Sequence, residues 1–269
     1  MKFVKITMDA ISHIYFAKEY IKNNPNFASK INNYEHFLFS NIFSDFDLLQ
    51  LAFSKKKTID LHNYNFKNLN EILNDTIYGI LFHGENINGI HGLDYFTHKN
   101  GGYIDKYRKY VKNVLEQNDV YLYDDFEHPV IEIISGYKIA SKDKELKNIV
   151  DDLFNNFDEH YWKALDDLPF GRGKLYSTLY SYFAKLVANK YKKIIDDPVN
   201  VLINIYRGVN KKLFIRKKKY ERLYNQMNKV VKELYSEIDP ETFLIYAGNA
   251  MVINEIPEYE TGLVYQTSS

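Results

Sequence analysis

Hydrophobic positions recur at helical spacing along most of the chain. Within residues 9–23, Ile11, Ile14 and Ile21 fall on one helical face, and Asn24-Pro25 ends the pattern. Further helices are predicted at 31–52, 67–87, 103–117, 141–156, 174–193 and 209–237. Alternating strand patterns are weak, and the best candidates are 119–123 and 243–253. The pattern therefore predicts a mainly α fold built as a helical bundle.

One predicted helical segment and one change of composition organise the chain further. Residues 31–52 are predicted to form one or two short helices with a break near Ser44. Seven of the eight histidines precede His160, whereas Lys- and Arg-rich helices follow it. We therefore expect a metal-binding helical domain at 1–159 and a helical C-terminal region of unassigned role at 160–269.

The overall composition excludes several classes of site. The chain has 269 residues, of which 45% are hydrophobic and 26% charged, as in ordinary globular proteins. Lys+Arg and Asp+Glu are both 35, so the formal net charge is zero and no global basic field attracts nucleic acid. The absence of cysteine excludes disulfides, thiolate metal ligands and a cysteine nucleophile.

The hydropathy of the chain predicts no membrane anchor. Lys5, Asp9 and His13 interrupt the apolar residues near the start, which is unlike the apolar core of a signal peptide. No stretch reaches the roughly 18 uncharged apolar residues that a transmembrane helix needs. We therefore expect no transmembrane segment and a cytoplasmic location.

Histidines and carboxylates occur together at spacings that suit metal ligands. His91, Asp94 and His98 are separated by three and four residues, which places them on one face of a helix. His128 and Glu132 are four residues apart, and the intervening proline suits the first turn of a helix. Zinc binds imidazole nitrogen and carboxylate oxygen at about 2.0–2.2 Å, and helices of a bundle can present such groups to a shared multinuclear site.

Short segments in the first half resemble one known family. The segment ISHIYFAKEYI, which contains His13, resembles an opening THxxFAxE helix, and FLFSNIFSDFD, which contains Asp45, resembles a FLLGxxxPD segment. DLHNYNF adds His62, and GIHGLDYFTHKN resembles an HxxxDxxxxH region. In this order the motifs resemble those of the zinc-dependent phospholipases C and the related single-strand-specific zinc nucleases. The resemblance covers about residues 9–135.

The resemblance implies a mainly α bundle of the zinc phospholipase C type that holds two or three zinc ions. The implied metal ligands are His13, Asp45, His62, His91, Asp94, His98, His128 and Glu132. His83, on an apolar segment predicted to be helical, remains an alternative to His91. Asp45 is the implied catalytic residue, because a carboxylate that bridges two metals can orient or deprotonate the attacking water. The implied reaction is hydrolysis of a phosphoester, whose source could be a phospholipid, a nucleic acid or a small phosphodiester.

Two other functions remain open from the sequence. The chain contains 24 Tyr, and Tyr-rich surfaces favour protein interfaces, so the main alternative is a non-catalytic interaction protein, for example one encoded by a phage or mobile element. A weaker pattern joins Arg207 in IYRGVN with Glu258 and Glu260 in PEYETG. These residues resemble the Arg and ExE elements of arginine-type ADP-ribosyltransferases, in which they bind and orient NAD. The Ser-Thr-Ser element of that family is missing, and helix is predicted where its fold needs strands.

Overall fold

In a computed structural model of the chain, the described residues form helices and their connections. These residues are 10–53, 61, 74–84, 103–120, 126–168, 178–209 and 217–241. The helices among them are α1 (Ala10–Asn23), α2 (Pro25–Ala28), α3 (Tyr34–Phe53), α4 (Asp75–His83), α5 (Tyr103–Gln117), α6 (Glu127–Lys142), α7 (Lys144–Asn155), α8 (Phe157–Asp167), α9 (Thr178–Asp196), α10 (Pro198–Val209) and α11 (Lys217–Glu237). No strand occurs within these ranges, so the predicted mainly α fold class is confirmed.

The structure corrects two predicted boundaries. α3 runs without interruption through Ser44, so the predicted break there is wrong. Ser44 is completely buried in this helix, and serine is only mildly unfavourable in a helix interior. The single amphipathic segment predicted at 141–156 is divided at Asp143, whose Oδ1 accepts a hydrogen bond from Leu146 N at 3.0 Å and so caps the start of α7. Of the strand candidates, residues 119–120 lie in the connection after α5, and residues 121–123 and 243–253 lie outside the described residues.

Helices α3 and α6 each pack against several others. α3 contacts α1, α4, α8 and α9, whereas α6 contacts α1, α5, α9, α10 and α11. Aromatic side chains fill the space around the start of α3: the Phe82 ring lies 5.8 Å from that of Phe37 and 5.1 Å from that of Tyr20, centroid to centroid. Such tilted and edge-to-face ring pairs add to the hydrophobic stabilisation of a core.

Helix α4 approaches α3 very closely at Gly79. A Cβ atom at this position would lie 2.6 Å from Ser40 Cβ, 2.7 Å from Asn41 N and 2.7 Å from Phe37 O. Because glycine has no side chain, the backbone of α4 can rest directly on α3. Asp75, at the start of α4, accepts hydrogen bonds from the backbone just before α3. The two helices therefore run in the same direction, side by side.

The C-terminal helices pack directly on those of the first half. α9 contacts α3, α6 and α7, and α11 contacts α5 and α6. The predicted division at residue 160 falls inside α8, and the separation into domains 1–159 and 160–269 stays a prediction. Among the described helices, none is both long enough and apolar enough to cross a membrane.

Candidate metal centre

Three buried side chains from three helices converge on one point. They are His13 of α1, Asp45 of α3 and His83 of α4, and they form what we call the His–Asp–His cluster. One ligand atom from each lies within 4.8 Å of the ligand atoms of the other two. His83 Nε2 is 2.9 Å from Asp45 Oδ1, and the rings of the two histidines stack with centroids 4.4 Å apart.

The contact between α3 and α4 explains how two members of the cluster meet. Asn41 faces Gly79, and one helical turn later on each helix come Asp45 and His83. Residues four apart share a helix face, so parallel helices that touch at the first pair also bring the second pair together. His83 is the last residue of α4, which ends where Gly84 N donates to Ile80 O at 3.0 Å.

A side chain of α3 fixes the third member. Asn41 Nδ2 donates a hydrogen bond of 2.8 Å to the backbone carbonyl of His13. This contact holds α1 against α3 at the level of the cluster. Residues 10–14 of α1 are all buried, so this end of the helix is enclosed on all sides and His13 lies in the interior.

The cluster is excluded from solvent. His13 is 1% exposed, Asp45 4% and His83 0%. Ionisable groups are almost never buried unless they pair with each other or bind a metal, because burial removes the hydration of the charge. A buried carboxylate beside two imidazoles therefore needs a chemical reason, and a bound cation is one.

The spacing suits a metal ion after small side-chain movements. Two nitrogens and one oxygen are a ligand set that zinc accepts, with bond lengths of about 2.0–2.2 Å. In tetrahedral geometry these bonds place ligand atoms roughly 3.4 Å apart. The ligand atoms of the cluster, all within 4.8 Å of one another, need to move by only about an ångström. Three protein ligands leave one position for water or substrate, as in catalytic zinc sites.

The remaining sequence-predicted ligands fall into two groups. His128 and Glu132 lie near the start of α6 as expected, and His128 Nε2 is 2.7 Å from Glu132 Oε1. They form a buried pair, and the His–Asp–His cluster does not include them. The other predicted ligands lie outside the described residues; they are His62, His91, Asp94 and His98. His83, which the sequence offered only as an alternative ligand, is in the cluster.

The chain has no match among known protein families, curated proteins or solved structures. Its function is therefore inferred from its own geometry.

Sequence reasoning missed a second buried histidine network. His36 Nε2 lies 2.7 Å from Thr76 Oγ1 and 3.1 Å from Asp167 Oδ2, and Thr76 Oγ1 donates to the same carboxylate oxygen at 2.8 Å. The His160 ring stacks on that of His36 with centroids 5.9 Å apart. Burial and the positive charge of Lys163 lower the pKa of His36 to about 4, against the raising effect of Asp167. No local pattern signals this network, because the hydrogen-bonded partners of His36 are 40 and 131 residues away from it in the chain.

Proposed function

We propose that the chain is a metal-dependent phosphoester hydrolase whose metal is held by His13, Asp45 and His83. The observation that carries the proposal is the convergence of these three side chains from three helices within 4.8 Å. The imidazole and carboxylate ligands favour zinc over magnesium or calcium, which prefer oxygen ligands. When bound by this set, zinc would polarise a phosphoryl oxygen and would lower the pKa of a water molecule so that it could act as a nucleophile near neutral pH.

The chain's own residues would supply the geometry for this chemistry. The hydrogen bond from Asn41 to the His13 carbonyl and the close α3–α4 contact hold the three ligands on rigid helices. Exclusion of solvent strengthens electrostatic interactions at such a centre. Asp45 is the one carboxylate of the cluster, and we assign it the task of holding the metal and accepting a proton from the attacking water. His128 and Glu132 are candidates for a further metal position.

The test measures metal and hydrolysis together. Protein purified without a histidine tag or chelator is analysed for bound zinc and assayed with bis-p-nitrophenyl phosphate, a general phosphodiester. We expect at least one zinc per chain, hydrolysis of the diester, and loss of both in Asp45→Asn. His160→Gln is the matched control, because it removes a buried histidine outside the cluster. Absence of zinc after reconstitution with an excess of the metal contradicts the proposal.

The burial of the cluster favours a second candidate, a structural metal centre in a non-catalytic interaction protein. Structural zinc sites are closed to solvent, and every member of the cluster is at most 4% exposed. This candidate predicts bound zinc, lower stability after its removal, and no hydrolysis of the diester. The ADP-ribosyltransferase alternative gains no comparable support: Arg207 lies in the last turn of helix α10, and Glu258 and Glu260 lie outside the described residues.

A further inference from the structure

A cleft on the opposite side of α6 from His128 and Glu132 has its own chemistry. It has a volume of about 480 Å³, within the range of small-ligand sites, and lies among α6, α11 and the junction of α9 with α10. The aromatic and charged side chains that line it are those of three tyrosines, two aspartates and one lysine: Tyr137, Tyr224, Tyr235, Asp196, Asp197 and Lys232. We call it the tyrosine cleft. It shares no residue with the His–Asp–His cluster, so ligand binding in the cleft does not depend on the proposed hydrolase activity.

Two of the tyrosine rings that line the cleft lie next to each other. The rings of Tyr137 and Tyr235 lie 5.6 Å apart, centroid to centroid, and are inclined at 61°. Tyr224 lies on the same helix as Tyr235, three turns earlier on the same face. Each ring face carries partial negative charge and attracts cations within about 6 Å. Lys138 Nζ, which donates a hydrogen bond to the Ile238 carbonyl, lies 5.5 Å from the centroid of the Tyr235 ring, so this ring already contacts one ammonium group.

The floor between α9 and α10 adds fixed negative charge. Asp197 caps α10, and its carboxylate is held because Oδ1 accepts from Asn200 N at 3.0 Å and Oδ2 accepts from Asn200 Nδ2. Asp196 is the last residue of α9, and the partial negative charge of that helix end is opposed by the partial positive charge of the α10 N-terminus, so the negative charge here comes from the two carboxylates. Lys147 Nζ lies 3.2 Å from Asp196 Oδ1 and offsets part of that charge.

Lys232 supplies the opposite charge on the wall formed by α11. This residue is exposed and lines the same cleft as the two aspartates. The cleft therefore offers an entering molecule aromatic rings, two carboxylates and one positive charge, the last on the same helix as Tyr224 and Tyr235. A simple cation would be attracted only by the rings and carboxylates, and a simple anion only by Lys232.

We propose that the tyrosine cleft binds a small zwitterion, with its alkylammonium group among the tyrosines and aspartates and its anionic group towards Lys232. Alkylammonium groups are recognised by aromatic rings because their charge is spread over weakly hydrated methyl or methylene groups. The anionic end pairs with the exposed lysine and fixes the orientation.

The test compares two molecules of equal shape that differ by one charge. Glycine betaine carries a trimethylammonium and a carboxylate, and 3,3-dimethylbutyrate replaces the ammonium nitrogen by carbon. Titration calorimetry on the full chain should give saturable 1:1 binding of glycine betaine, with 3,3-dimethylbutyrate at least about tenfold weaker. Equal affinities for the two molecules, or no saturable binding of glycine betaine, overturn the proposal.

Variants locate the binding to the cleft. Tyr137→Phe keeps the ring and should bind glycine betaine within about twofold of the parent, whereas Tyr137→Leu should weaken binding about tenfold. Tyr182→Leu is the matched control, because Tyr182 is 59% exposed on α9 and does not line the cleft. If Tyr137→Leu unfolds, Lys232→Gln tests the same site on an exposed residue and should weaken glycine betaine severalfold. Affinity equal to that of the parent in folded Tyr137→Leu, or in Lys232→Gln where Tyr137→Leu does not fold, overturns the assignment of the site.

Discussion

His83 Nε2 lies 2.9 Å from Asp45 Oδ1 in a place that solvent does not reach. The two residues are far apart in the sequence, and they meet because α4 rests on α3 at Gly79, one turn before each of them. Burying a carboxylate costs several kcal/mol, and a nearby imidazole or a cation offsets the cost only when the geometry is good. The stability of this region should therefore depend on what occupies the space between the side chains of His13, Asp45 and His83.

Zinc should stabilise the chain through the His–Asp–His cluster. A ligand that binds only the folded state stabilises it by about 2.7 kcal/mol at a hundred times its dissociation constant. For a chain of this length, that corresponds to a rise in melting temperature of roughly 5–10 °C. Thermal unfolding of chelator-treated protein, with and without added zinc, measures the effect.

Two variants assign that stabilisation to the cluster. His83→Asn should abolish the zinc-dependent rise, while His160→Gln should keep it, because His160 stacks on His36 and is not a member of the cluster. A zinc-dependent rise of equal size in His83→Asn would place the metal elsewhere in the chain.

Local patterns predicted the helices better than they predicted the site. The predicted bounds of α5 agree with the structure, since its apolar stripe and polar face repeat at helical spacing. Asp45 and His13 were expected to be ligands, and the structure places them in one cluster. His83 was only a reserve, because the reason it joins Asp45 is the missing side chain of Gly79, a tertiary contact that no local pattern contains. The His36 network was also missed, because it too depends on tertiary contacts between residues that are distant in the sequence.

Gly79→Ala should destabilise the chain although alanine is the better helix former. The added Cβ would lie 2.6–2.7 Å from one side-chain atom and two backbone atoms of α3, so the two helices must separate. Overpacking of this kind costs about 1–3 kcal/mol, which exceeds the gain of roughly 1 kcal/mol in helix propensity. Urea unfolding measures the difference, and zinc affinity should fall with it because His83 moves with α4.

The partner side chain provides the control for this prediction. Ser40→Gly in the Gly79→Ala background removes the contact with Ser40 Cβ but leaves those with Asn41 N and Phe37 O. It should therefore restore only part of the lost stability. A Gly79→Ala variant as stable as the parent would contradict this prediction. It would mean that an added Cβ lies farther from the atoms of α3 than 2.7 Å.

Lys18→Met should weaken the attachment of α1 to α7. Lys18 is 8% exposed, and its Nζ lies 2.7 Å from Asp143 Oδ2 and 2.8 Å from Glu145 Oε2. Burial, the largest single influence, works to raise the pKa of Asp143, but the hydrogen bond and charge of Lys18 together with backbone hydrogen bonds from α7 outweigh it and keep that pKa below its usual value. Because the pair is part-buried, we expect a loss of about 2 kcal/mol in the free energy of unfolding, between the values for surface and buried pairs.

Lys22→Met on the same helix is the matched control for Lys18→Met. Lys22 Nζ lies 3.8 Å from Glu19 Oε2, and its side chain is 71% exposed, so its removal should cost less than about 0.5 kcal/mol. Equal losses for the two variants would show that the Lys18 contacts contribute no more than an exposed pair.

His36 should make the stability of the chain depend on pH between about 4 and 6.5. Burial, with the charge of Lys163, lowers the pKa of His36 from 6.5 to about 4, so the unfolded chain binds this proton more readily than the folded chain. Stability is then fully present above pH 6.5 and is lost as the pH falls towards 4. From these two pKa values, the loss between about pH 7 and pH 5 is about 2 kcal/mol.

His36→Gln separates this effect from the titration of other groups. Glutamine does not titrate, and its amide can still donate a hydrogen bond to Thr76 or Asp167. His160, whose pKa is also lowered by burial, is present in both proteins. Urea unfolding at about pH 7 and pH 5 should therefore show a fall in stability about 2 kcal/mol smaller in His36→Gln than in the parent. The same fall in both proteins would mean that His36 binds a proton equally well in the folded and unfolded chains.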